Sequence, residues 1–140
     1  MDRRILTYEP ELDFALVAIT SSLETHVLCF KLNRQLNISL CRIDELGISF
    51  REGDVGSLHF DRYFYQNSSV ETTFYLLVNR GAGGFLVPEM KNVDFFLLIQ
   101  NDIDEEDLKT TISTINQITE VLVAIQVDPK KIKSRENLLF

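Results

Sequence analysis

The chain is poor in the residues that carry most recognisable chemistry. It has two cysteines, Cys29 and Cys41, and two histidines, His26 and His59. Two thiols without a paired framework exclude a disulfide-stapled scaffold, and both are expected to be reduced. The four residues together equal the ligand count of a structural zinc site, but their spacing matches no common zinc module. His26 and Cys29 lie three apart and share a helix face. Cys29, however, belongs to an otherwise apolar stripe, where a thiol behaves as a small hydrophobe. It is also far from the helix N-terminus that would lower its pKa, which argues against a nucleophile. No metal, cofactor or catalytic residue is expected.

Long apolar runs are missing too. None approaches the roughly 20 residues that a membrane span needs. The opening MDRRILTYEPELD holds no apolar segment of signal-peptide length. A cytoplasmic location and no membrane partner are the expectation. Basic residues are in deficit, with 14 Lys and Arg against 21 Asp and Glu, a net charge of −7 and a pI near 4.8. That balance disfavours nucleic acid, whose phosphates require a basic face. The basic residues of DPKKIKSRE (128–136) are bracketed by Asp128 and Glu136 and read as a solvated, charged tail. FDRYFYQ (60–66) places aromatics beside an arginine, but strand aromatics belong more often to a core or interface. GAGG (81–84) lacks the lysine and hydroxyl of a phosphate loop, and no helix pattern follows it. Its glycines are expected to supply positive φ in a turn.

What is present is a globular pattern. The 140 residues are 45% apolar and 25% charged, with no internal linker, which suggests one domain, 1–140. DFALVAITS (13–21) is apolar on both faces and predicts a central strand. A helix follows near residues 22–36, with Ser21 or Ser22 as its cap and Glu24 completing a capping box. Strands are predicted at 39–46, 58–66, 70–80, 93–100 and 121–127, and QNSS (66–69) reads as a hairpin turn. A second helix near 104–117 has Asp102 or Asp104 as cap and acids in its first turn. Two strand–helix–strand units around antiparallel strands predict an α+β two-layer sandwich. The sheet would be antiparallel-rich, with two main helices on one face, in a ferredoxin-like plan.

The first helix carries two apolar groups. Leu23, Val27 and Phe30 lie together, and Leu28, Leu32 and Leu36 lie roughly opposite. One sheet covers one side only, so Leu28, Leu32 and Leu36 are expected to form an interface, most simply in a homodimer. The apolar end ENLLF (136–140) is the competing cover, since it should dock somewhere.

The stretch GGFLVPEMKNVDFFLLIQND (83–102) breaks an apolar run with Pro88. Proline lacks an amide hydrogen and should end the FLV pairing. Glu89 and Asp94 follow, five residues apart. They are candidate binding residues, weighed against structural roles as caps of backbone amides. VPEMKNVDF resembles the pattern that names the IPExxxVDY family of small bacterial proteins. The match falls on Pro88, Glu89, Val93 and Asp94, with Val87 in place of Ile and Phe95 in place of Tyr. The resemblance extends to DFALVAITSSLETHVLCFKLN and to VDPKKIKSRENLLF. It implies a self-contained domain and supplies no chemistry. The expected function is a non-catalytic interaction or regulatory module that self-associates. The alternative is a small-molecule-binding domain like the ACT type, an analogy of fold alone.

Overall fold

Two of the predicted strands are apolar at nearly every position, and the architecture gives the reason. The computed structural model describes residues 14–49, 57–67, 69, 71–81, 83–101 and 103–140. The Asp102 cap, the opening segment and the loop at 50–56 fall outside the described residues. β1 (Phe14–Ser21) and β7 (Phe95–Gln100) lie deep in a six-stranded sheet that is covered on both faces.

The other elements are α1 (Thr25–Leu36), β2 (Cys41–Ser49), β3 (Ser57–Gln66), β4 (Thr73–Val78), β5 (Arg80–Gly81) and β6 (Gly84–Phe85), then α2 (Glu105–Asn116) and β8 (Val121–Val127). Two 3-10 turns, Pro129–Lys131 and Arg135–Leu138, form the tail. The sheet order is β2-β3-β4-β7-β1-β8, antiparallel throughout, and β5-β6 is a separate small hairpin. β7–α2–β8 straddles β1, as the ferredoxin-like plan requires. The α1 crossover instead reaches the far edge, and β2, β3, β4 and β7 run back towards β1, so the plan is enlarged. No helix among the described residues is long and apolar enough to cross a membrane.

Both helices lie on one face. Val17, Ile19, Phe74, Leu76, Leu97 and Ile99 point to that side and meet Leu28, Leu32, Leu108 and Ile115. The alternate residues Leu16, Ala18, Leu77, Phe96 and Leu98 point the other way. Among the described residues no α-helix covers them. Leu86, Val87 and Val93 of the β6–β7 connection do so, with Ile132 and Leu138 of the tail. Each such side chain contributes about 1.5–3 kcal/mol through its removal from water.

α2 starts as expected, with the Asp104 carboxylate accepting the Asp107 amide at 2.8 Å. α1 does not. Its N-cap is Glu24, whose side chain makes no capping bond. Ser21 accepts the Leu23 amide and donates its hydroxyl to the Glu120 carbonyl, so it ties α1 to β8. The interface expected on α1 is corrected as well, by burial. Leu23 precedes the helix and does not belong to its stripe. Leu28 and Leu32 are 0% exposed and Leu36 packs against the same cluster, so the three face the core of their own chain. The solvent side of α1 keeps Phe30, 60% exposed, with Val27 half-buried.

Candidate functional site

The motif loop is organised by Asn79, which is 0% exposed. Its side-chain Nδ2 donates to the Val93 carbonyl at 2.8 Å and the Met90 carbonyl at 3.0 Å, and its Oδ1 accepts the Val87 amide at 2.8 Å. Its own backbone bonds the Asp94 carbonyl and the Leu86 amide. One residue therefore satisfies both ends of the connection from Leu86 to Asp94. Pro88 follows Val87, whose carbonyl accepts the Met90 amide. That places proline at the second position of a β-turn, where its fixed φ is favourable and its missing amide costs nothing.

Glu89 and Asp94 do not converge on a common ligand. Asp94 Oδ2 accepts the Ser21 amide at 2.9 Å and so holds the end of β1, while Arg80 approaches Oδ1 at 3.6 Å. Glu89 turns to the tail. Its two carboxylate oxygens accept the amide and the hydroxyl of Ser134, each at 2.9 Å. Slight burial pushes the Glu89 carboxyl up, but these bonds, with backbone donors at Glu89 itself and Lys133, outweigh it and hold the group below its ordinary range. Asn137 adds a bond from Nδ2 to the Leu86 carbonyl at 2.9 Å. Phe140 meets Tyr75 edge-on at 4.9 Å, with the Arg62 guanidinium 5.0 Å from its ring centre.

The glycines of residues 81–84 serve the β5–β6 hairpin. Gly83 has φ +88, as expected for a turn. Gly81 serves a different need: a Cβ there would lie 2.8 Å from the Phe60 ring and 2.9 Å from the His59 carbonyl.

The thiols and histidines are dispersed. Cys29 is buried, with Asn33 and the Leu40 carbonyl beside it, and burial pushes its pKa up. Cys41 and His26 are exposed, and His26 lies 3.7 Å from Glu24. His59 lies 3.8 Å from Glu45 on the β2–β3 hairpin. Among the described residues no three His, Cys, Asp or Glu side chains group as metal ligands.

The two sheet edges differ sharply. β2 carries Arg42, Asp44 and Glu45 and an irregularity between Ile43 and Leu46, devices that discourage strand addition. β8, VLVAIQV, has no charge at all. Its pairing with β1 shifts near Ser21, where Val121 and Val123 pair and Leu122 is passed over. Such a bulge re-aims a side chain, and Leu122 is left 80% exposed. Ile125 is 53% and Val123 38% exposed, in register with Ala18 and Thr20 of β1. The backbone of this edge is partly occupied. Asn116 Oδ1 accepts the Ala124 amide and its Nδ2 donates to the Ala124 carbonyl, both at 2.9 Å. The exposed feature of β8 is thus its side chains. An open cleft of about 750 Å³ adjoins this strand, with Arg80, Asp94, Glu24 and Glu120 among its lining residues. Compared with known proteins, the chain matches no protein-family model and no curated sequence.

Proposed function

We propose that the chain is a non-catalytic interaction module that associates with a second copy of itself through β8. The observation that carries this is the exposure of Leu122, Val123 and Ile125 on an outer strand without charge. Burying such side chains against a partner is worth about 1.5–3 kcal/mol for each one fully covered. Two copies meeting at this strand bring no like charges into contact there, although each carries −7 overall. A two-fold pair also uses each surface once and closes. The groups that could have signalled catalysis are occupied: Glu89 holds the tail and Asp94 holds the end of β1. In this proposal the resemblance to the IPExxxVDY family rests on residues that shape a loop.

Sedimentation velocity of the intact chain across micromolar concentrations tests the proposal. It expects a concentration-dependent monomer–dimer equilibrium, and a monomer at every concentration would end it.

The cleft beside β8 favours a second reading, a small-ligand site. Its volume falls in the range of ligand pockets, and Arg80 with Asp94 presents both signs of charge. A thermal-shift screen with amino acids and nucleotides should then raise the melting temperature with some members, and no shift with any would remove this reading.

A further inference from the structure

On the face that carries the helices, a second cleft opens where the end of α1 meets the start of α2. Its volume is about 720 Å³, and no residue of β8 lines it. Leu36, Ile38, Phe74 and Ile103 supply its apolar part, all of them belonging to the helix-side cluster. Asp104 and Asp107 line the same cleft, and none of the described lining residues is basic. Asp104 uses Oδ1 to cap α2. The Asp107 carboxylate has no hydrogen-bond or ion-pair partner among the described residues.

One buried group distinguishes this cleft. Among the described residues the fold buries the polar side chains of Ser21, Thr72, Thr73 and Asn79. Ser21, Thr73 and Asn79 have hydrogen-bond partners for those side chains. Thr72 is 8% exposed, and its hydroxyl has no partner among the described residues. The Thr72 carbonyl accepts the Asn67 amide at 3.0 Å and so extends the β3–β4 ladder by one step. Thr72 therefore lies on the path of β4 two residues before Phe74, and side chains two apart share a face. Both line the cleft. Buried hydroxyls are normally bonded, and an orphaned one costs stability. A ligand in the cleft would restore the missing bond.

We propose that this cleft binds a small organic amine that carries an apolar ring or chain and a hydroxyl. The ammonium group is drawn by Asp104 and Asp107, where an anion would find no counter-charge in the lining. The apolar part lies against Phe74 and Ile103, and the ligand hydroxyl pairs with Thr72. The site is independent of self-association through β8.

The test titrates the isotopically labelled intact chain with tyramine, phenethylamine and 4-hydroxyphenylacetate, read by amide chemical shifts. Tyramine should give saturable shifts at Phe74, Ile103 and Asp107. Phenethylamine, which lacks the hydroxyl, should bind about fivefold more weakly, the usual worth of one neutral hydrogen bond. The acid should not bind. Thr72→Val keeps the side-chain shape and removes the hydroxyl. It should abolish the preference for tyramine over phenethylamine, and Asp107→Asn should weaken both amines. No saturable shift with either amine, or equal binding of tyramine and the acid, overturns the proposal. So does tyramine binding that Thr72→Val leaves unchanged. Urea unfolding gives a check without ligand. The free Thr72→Val chain should be as stable as the wild type or more so, and a loss of stability would show that the hydroxyl already has a partner and overturn its role.

Discussion

Glu89 and Ser134 are joined by two hydrogen bonds of 2.9 Å across 45 residues of sequence. The contact ties the connection before β7 to the tail, on the face of the sheet opposite α1 and α2. Glu89→Ala should loosen the tail at a cost of about 1 kcal/mol, the usual net value of such a bond near the surface. Hydrogen exchange at Ser134 to Leu138 should accelerate while β1 and β7 stay protected.

The same contact fixes a pH dependence. The Glu89 carboxyl is held below its unfolded value of 4.5. A group with a lowered folded pKa stabilises the fold above its unfolded pKa, and that contribution is lost as pH falls through the folded value. Tail protection should therefore be complete above about pH 4.5 and decline below it. Glu89→Gln should flatten this part of the profile, as proteolysis or exchange between pH 6 and pH 3 would show.

Asn79 is the most costly polar residue to remove. Asn79→Ala leaves the Val87 amide and the Met90 and Val93 carbonyls without this partner. A loss of about 3 kcal/mol is expected, since each unsatisfied buried group costs about 1–3 kcal/mol. Urea unfolding measures it. Asp94→Ala, which frees the Ser21 amide and removes the carboxylate beside the exposed Arg80, should cost about 1 kcal/mol.

How far the sequence foretold this arrangement depended on the kind of interaction. β1, β7 and α2 were legible because apolar runs and a 3.6-residue stripe report directly on burial. The later start of α1 was not. Ser21 and Glu24 have the right spacing for a capping box, but Ser21 is committed to Glu120 across the sheet. The interface expected at Leu28, Leu32 and Leu36 is misplaced because that side of α1, and not the side of Phe30, faces the sheet. Asn79 gave no signal, because an asparagine beside glycines looks like any turn. Nor does VLVAIQV reveal that it is an outer strand, since a buried and an exposed apolar strand share one composition. Glu89 and Asp94 stood out as candidates, and only their distant partners identify them as fasteners.

Association through an uncharged strand between two acidic molecules has a salt signature. Repulsion between the two bodies is screened as ionic strength rises, while contact at Leu122 and Ile125 is not weakened. The dimer should tighten as salt is raised from about 20 mM to about 300 mM, where the screening length falls below about 10 Å. Weakening over that range would mean that ion pairs hold the interface.

The most direct measurement compares Leu122→Asp combined with Ile125→Asp against Phe30→Asp, by sedimentation equilibrium with circular dichroism as the check on folding. All three positions are exposed, so each variant should keep its fold. The β8 variant should be monomeric where the wild-type chain is dimeric, and Phe30→Asp should dimerise like the wild type. A β8 variant that folds and still dimerises would contradict the account.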